Sequence, residues 1–153
     1  MSSKFVRDSF NSFIGTGLPS ENIIDLTAQG KEMQDFLEEE GLTLDDTWLG
    51  LQFQADPERP ITVPATNSTG KYREDGIVFV HIVSPIFTST STLMNGLLDR
   101  AEAIKNLFRG IRIGDIIIET VGQPNFESGA TLEFEGGFQS CSIIINYQYD
   151  INL

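Results

Sequence analysis

The segment from Gly76 to Phe108 places a buried strand, a polar loop and an amphipathic helix next to one another. Residues Ile77 to Val83 are apolar and β-branched apart from one histidine, and Pro85 ends the run because it cannot donate to a sheet ladder. After a Ser/Thr-rich loop, apolar side chains recur at helical spacing at Leu93, Leu97, Ala101, Ile104 and Phe108. The pattern predicts a strand covered by a capped helix.

Length and cysteine content limit the type of protein. A chain of 153 residues predicts a single domain over residues 1–153, which can bury roughly 70% of its unfolded surface. Cys141 is the only cysteine, so no disulfide forms within the chain and a reducing compartment is expected. The N-terminal sequence MSSKFVRDSF has no apolar signal region, and no apolar run approaches the roughly 20 residues of a membrane span. We expect a soluble protein that is not secreted and does not enter a membrane.

The formal charge of −12 is concentrated in the N-terminal part of the chain. Residues 1 to 60 contain 12 acidic and 4 basic side chains. Because DNA affinity depends on neutralised phosphates and released counterions, a DNA-binding protein needs a basic surface. The composition therefore predicts that this protein does not hold DNA, although an acidic wall can keep DNA at a distance by repulsion.

The sequence of the N-terminal half predicts two short helices and one strand. Apolar spacing predicts a first helix over Lys4 to Ile14 and a second over Lys31 to Glu40. Alternation over Trp48 to Gln54 predicts a half-buried strand. The polar, proline-containing stretch from Glu58 to Asp75 predicts a long projecting hairpin loop.

The sequence of the C-terminal half predicts further strands. Ile111 to Val121 is β-branched with a break at Gly114 and Asp115, and Gln139 to Tyr149 alternates apolar with polar residues. The predicted fold class is α+β. We expect an antiparallel sheet of about four main strands packed against one long helix and one or two shorter N-terminal helices.

Candidate catalytic groups are few. His81 is the only histidine and alternates with apolar residues on a strand face, which favours a packed or interface histidine over a catalytic one. Strand spacing would place Asp115 and Glu119 on one strand face, and Glu133 and Glu135 on another. General acid/base catalysis by two carboxylates requires such pairs. Such pairs are common in a chain with 22 acids. We expect no enzymatic activity, no cofactor and no metal site.

From Trp48 to Asp150 the chain resembles the tail terminator proteins of lambda-like bacteriophages, whose tails are long and non-contractile. The likeness is one of pattern and order. It covers TWLGLQFQADPERPITV, then KYREDGIVFVHIVSP, then LMNGLLDRAEAIKNLF, and finally GGFQSCSIIINYQYD. Within it, Arg73 to Gly76 matches the Arg-x-x-Gly strand, and Tyr147 and Tyr149 match the aromatic end of the last strand.

The resemblance implies a structural virion protein of the tail, assembled in the host cytoplasm. Such a protein forms a ring, expected to be a hexamer, that caps the tail tube protein, stops tail polymerisation and contacts a head completion protein. Duplex DNA passes through the ring without specific binding. The alternatives are another connector or completion protein of the head–tail joint, an acidic DNA mimic using Glu32 to Asp46, and a hydrolase using Asp115 or Glu119.

Two sets of residues are candidates for contacts in such a ring. Cationic and aromatic groups after Pro57 are predicted to contact the tail tube: Arg59, Lys71, Tyr72 and Arg73. Acidic groups are predicted to face the DNA in the lumen: Glu38, Glu39, Glu40, Asp45 and Asp46. Asp99 and Glu102 on the long helix are the alternative lumen wall.

Overall fold

The computed structural model describes residues 4–26, 37–38, 41–42, 46–60, 71–85, 90–125 and 138–152. This part of the chain contains the helices α1 (Lys4–Gly17) and α2 (Thr90–Phe108). The strands are β1 (Ile23–Asp25), β2 (Trp48–Ala55), β3 (Arg59–Pro60), β4 (Lys71–Pro85), β5 (Arg112–Ile113), β6 (Ile116–Val121) and β7 (Phe138–Asn152).

All these strands belong to one mixed sheet that forms a half-barrel. The order across it is β1-β2-β4-β7-β6-β5, with β3 paired to β4 off this path. β1 runs parallel to β2, with Ile23 opposite Leu49, and the other pairs are antiparallel. The predicted antiparallel sheet of about four strands against one long helix is therefore wrong. Strands of two or three residues carry too little periodicity to be read from sequence, and one of them adds the parallel pair.

The longest pairing in the sheet joins β4 to β7. Its register runs from Lys71 opposite Asn152 to Pro85 opposite Phe138, so both strands are paired along their whole length. β2 and β3 lie on the other edge of β4, and β6 lies on the other edge of β7. The two central strands therefore position all their neighbours.

The helices cover one face of the sheet, which we call the helix face. Alternate residues of β2, β4, β6 and β7 point into it and meet α1 and α2. Phe10 of α1 lies at the centre, with ring centroids 5.7 Å from Phe108 of α2 and 5.6 Å from Tyr147 of β7. The fully buried members of this core include Ile14, Leu49, Leu51, Ile82, Leu97, Ile116 and Ile143.

The opposite face, which we call the outer face, is covered at one end. There Trp48 and Val83 are buried with Ile24, Leu26 and Leu37 in a second apolar cluster. This cover explains why β2 is buried on both faces near Trp48, where alternation predicts only one buried face. Leu37 and Glu38 are helical, and the N–H of Leu42 bonds to the carbonyl of Leu37 as the turn ends.

Two predicted boundaries are wrong. The predicted loop from Glu58 to Asp75 contains β3 at its start and the first residues of β4 at its end, while residues 61–70 lie outside the described residues. The first helix continues three residues past Ile14 to Gly17. Most of the predicted second helix, Lys31 to Glu40, lies outside the described residues.

Arg100 joins α2 to three other parts of the chain. Its guanidinium binds both carboxylate oxygens of Glu21 at 2.9 and 2.8 Å. It also donates to the carbonyls of Val83 at 2.9 Å and Trp48 at 3.2 Å, and to the hydroxyl of Ser84 at 2.8 Å. Because a planar guanidinium can satisfy several acceptors at once, this one side chain fixes α2 relative to β2 and β4.

We predict that Arg100→Met lowers the free energy of unfolding by about 2–4 kcal/mol, because it leaves a mostly buried carboxylate and two carbonyls without their donor. Urea denaturation monitored by circular dichroism measures the loss. Arg109→Met is the matched control on the same helix. Arg109 pairs with Glu102 at 3.6 Å and both side chains are half exposed, so its loss should be below about 1 kcal/mol. Equal losses in the two variants would contradict the assigned role of Arg100.

Candidate functional site

The β4–β7 pair extends past the end of β6. The pairing of β6 with β7 begins at Tyr149, whereas the β4–β7 ladder continues through Asp150, Ile151 and Asn152. We call residues 71–73 and 150–152 the ribbon tip. Because side chains alternate along a strand, the tip presents different residues on its two faces.

On the outer face, the ribbon tip is covered by ion pairs. Arg73 binds Asp150 through two hydrogen bonds of 2.7 and 3.0 Å, and this bonding raises the pKa of the Arg73 guanidinium. Arg59 of β3 binds one carboxylate oxygen of Asp75 at 3.1 and 2.9 Å. With its amide oriented to satisfy its neighbours, Gln148 accepts from Arg73 and donates to Glu119. The basic side chains here are thus already matched by acidic ones.

On the helix face, the same tip carries aromatic and apolar groups. Tyr72 lies opposite Ile151, and Tyr149 is the next β7 residue on that face. Phe5 of α1 stacks on Tyr149 with a centroid distance of 5.0 Å. Phe5 is 47% exposed. The result is an accessible aromatic surface at the end of the sheet.

The predicted tail-tube contacts therefore lie on two paired strands, β3 and β4, but are divided between the faces of the sheet. Arg59 and Arg73 lie on the outer face, where they make ion pairs within the chain. Tyr72 lies on the helix face, beside the aromatic groups. Lys71 pairs with Asn152 in the backbone ladder, and its side chain is outside the described residues.

The predicted lumen acids fall on two sides of the sheet. Glu38 is exposed, and Asp46 is half-buried just before β2. Glu39, Glu40 and Asp45 lie outside the described residues. Because Leu37 packs on the outer face, Glu38 lies on that side of the sheet. The alternative wall of Asp99 and Glu102 lies on α2, on the opposite side of the sheet.

An open groove of about 520 Å³ runs between α1 and the β5–β6 turn. We call it the α1 groove, and its lining residues are Phe5, Asp8, Ser9, Ser12, Phe13, Thr16, Ile113 and Gly114. Gly114 begins the tight turn with a φ of 57°, a conformation that suits glycine. Sequence reasoning missed this groove. Its only sequence signal is the row of small hydroxyl residues on the α1 face that carries Phe5.

The pair of Asp115 and Glu119 considered for catalysis does not form as predicted. Asp115 lies in the β5–β6 turn, and a bulge between Ile118 and Thr120 interrupts the alternation of β6. Strand spacing therefore does not place Asp115 and Glu119 on one face. Asp115 lies near Tyr149, whereas Glu119 lies near Gln148. Glu133 and Glu135 are outside the described residues.

His81 is held between two neighbouring strands. Its Nε2 lies 2.6 Å from Oε1 of Gln52, and its Nδ1 lies 2.6 Å from the hydroxyl of Ser142. Because Oε1 only accepts, Nε2 carries the proton and Nδ1 accepts from the serine. A serine beside a histidine is the arrangement of an activated nucleophile, but Ser142 is 0% exposed. A substrate has no access to this pair.

Within the described ranges, no three His, Cys, Asp or Glu side chains come together to hold a metal ion. The thiol of Cys141 is buried, and this burial raises its pKa to about 11, so it is not a reactive thiolate. Among the described helices, none has the length and apolar character needed to cross a membrane.

The buried position of His81 predicts a pH dependence of stability. His81 is 3% exposed, and desolvation lowers its pKa from 6.5 to about 4. Between these values the unfolded chain binds a proton that the folded chain excludes, so stability is full above pH 6.5 and falls as the pH drops towards 4. The loss is about 3 kcal/mol. We expect His81→Gln to lack this component when unfolding free energies are compared at pH 7 and pH 4.

Because His81 is the only histidine, its ring proton resonance can be titrated by NMR without ambiguity. A midpoint near pH 6.5 in the folded protein would contradict the prediction.

Comparison with known proteins gives a fold but no activity. No family model and no curated protein matches this chain. Among the solved structures that match, one, of a protein whose name describes no function, is similar over 97% of this chain and 96% of the other, with 15% identity and a TM-score of 0.50. At this identity the likeness concerns the fold alone. The other chain shares the mixed half-barrel sheet over 96% of its length.

Proposed function

We propose that this protein is a tail terminator of a lambda-like bacteriophage, a structural protein that closes into a ring on the end of the tail tube and stops its polymerisation. The proposal rests first on the sequence pattern from Trp48 to Asp150. In this role the protein has no catalytic chemistry, and its partners are copies of itself, the tail tube protein and a head completion protein.

The observation that carries the proposal is the ribbon tip. A protein that caps a tube needs an accessible contact surface, and aromatic groups and arginine dominate protein contacts. The tip carries both on one element, aromatic on the helix face and charged on the outer face. A two-stranded ribbon paired along its whole length can transmit a contact at its end to the centre of the sheet.

The charge of the chain suits a ring through which DNA passes. Six copies at −12 each would carry −72 formal charges, only part of which can lie on the outer rim. At physiological salt the Debye length is about 8 Å, so repulsion acts only when the duplex comes close to the wall. Such a wall keeps DNA from adhering and leaves a wide channel open. Among the described residues, we propose that Glu38 and Asp46, or alternatively Asp99 and Glu102, supply the acidic side chains of this wall.

We predict that the protein forms a closed ring of six copies, either in solution or on contact with the tube end. Analytical ultracentrifugation reports the state in solution, and electron microscopy of purified tails mixed with the protein reports the state on the tube. Tails assembled without the protein should grow past their normal length. A monomer that decorates no tail end would contradict the proposed function.

We predict that Tyr72→Ala combined with Arg73→Ala reduces the fraction of capped tails at least about tenfold at limiting protein concentration, because tyrosine and arginine dominate protein contacts. Electron microscopy of tail ends measures this fraction. Asp150→Ala is the matched control, since it breaks the same ion pair as Arg73→Ala but keeps the cation.

The control should cap tails as the unmodified protein does. If both variants fold and cap equally well, the ribbon tip is not the tube contact. If Asp150→Ala fails as severely as the double variant, the ion pair matters for the shape of the tip and the cation itself makes no tube contact.

A further inference from the structure

The α1 groove is a mostly apolar surface that the described residues leave open. Phe5 is one of two exposed large apolar side chains in the described part of the protein, and it lies at one end of the groove. Phe13 and Ile113 are half-buried in its walls and pack against the core. Ser9 and Ser12 leave space on α1 because their side chains are short. The volume of about 520 Å³ suffices for an inserted aromatic or leucine side chain with its neighbours.

The surroundings of the groove are acidic. Asp8 lines it, and Asp115 follows Gly114 in the turn that closes its other side. Near Tyr149, on which Phe5 stacks, three carboxylates contribute to raising the pKa of the phenol after desolvation: Asp115, Glu74 and Glu58. Lys4 pairs with Asp8, but both side chains are more than half exposed, so this pair compensates the charge only weakly.

A second copy of this chain carries the same formal charge of −12 and is therefore a poor source of a basic side chain for this site. Four of its ten lysines and arginines are mostly buried in ion pairs with acids of their own chain: Arg7, Arg73, Arg100 and Lys105. Arg112 adjoins Ile113 of the groove itself. The side chains of Lys31 and Lys71 are outside the described residues. A matching partner is therefore better supplied by a different protein.

We infer that the α1 groove binds a segment of another protein that carries an aromatic or leucine side chain flanked by arginine or lysine. The apolar side chain enters beside Phe5 and Phe13, and the cation lies over the exposed aromatic ring next to Asp8 or Asp115. This inference deepens the proposed function, on which it rests for the biological source of the segment, a neighbouring protein of the tail or head. The chemistry of the groove does not depend on ring formation.

The test uses a short synthetic peptide with the core Arg-Leu-Phe-Arg and two matched peptides, one with glutamate for both arginines and one with alanine for the apolar pair. Each is titrated into the isotope-labelled full chain and followed by amide NMR shifts. We expect saturable shifts centred on Phe5, Ser12 and Gly114 with the first peptide only. Ser12→Arg, an exposed substitution that obstructs the groove and adds a cation, should weaken binding at least about tenfold.

Two further variants separate charge from shape. Asp8→Asn with Asp115→Asn should weaken binding about threefold, because exposed charges contribute modestly. Ala103→Arg adds the same side chain to an exposed position of α2 that does not line the groove. This variant should bind the first peptide as the unmodified protein does. Equal binding of the three peptides, shifts away from the groove, or no binding would overturn the inference.

Ring formation is measured on the same proteins, so the two proposals can fail separately. If Ser12→Arg binds no peptide but still forms rings, the groove serves a different protein as inferred. If Ser12→Arg abolishes rings, the groove is an interface between copies, and the inferred partner is wrong. If the unmodified protein binds the peptide but never caps a tail, the inference stands and the tail terminator proposal fails.

Discussion

The unbroken ladder between β4 and β7 is the constraint on which the other elements depend. Its register decides which residues of β4 meet the helices, because a slip of one residue would exchange Val78, Val80 and Ile82 for their neighbours on the outer face. Three fully buried aliphatic side chains would then face water, while His81 would enter the core. The ladder therefore sets where α1 and α2 pack and keeps His81 between its two polar partners. Arg100 completes the arrangement by attaching α2 to the carbonyl groups near one end of β4.

Sequence periodicity predicted the elements whose burial repeats over many residues. The apolar stripe of α2 and the alternating face of β7 appear in the structure as expected, since each side chain there meets the same core. The parallel strand β1 was not predicted, because three residues in a polar stretch give no period. The prediction that the first helix ends at Ile14, before Gly15, was also wrong. Packing outweighs the cost of about 1 kcal/mol per glycine in a helix, and Gly17 at its end permits close approach of Leu107.

The candidate sites were less predictable than the fold, for a physical reason. Composition identified a cluster of cationic and aromatic residues around Lys71 to Arg73, but strand alternation separates Tyr72 from Arg73 once that segment is paired. Their ion-pair partners come from distant positions, as with Asp150, which is 77 residues from Arg73. The α1 groove depends on the approach of the β5–β6 turn to a helix from the other end of the chain. Such surfaces arise from tertiary contacts, which local spacing does not encode.

The ends of the sheet have a consequence for solubility. β1 offers three residues and β5 only two, so neither edge is long enough to template the addition of a foreign strand. Next to β5, the bulge between Ile118 and Thr120 interrupts the pairing of β6 with β7 and increases the local twist of this end of the sheet. Short and interrupted edges of this kind protect a sheet against amyloid-like stacking. In the described part of the chain, side chains and grooves therefore offer more to a binding partner than backbone edges do.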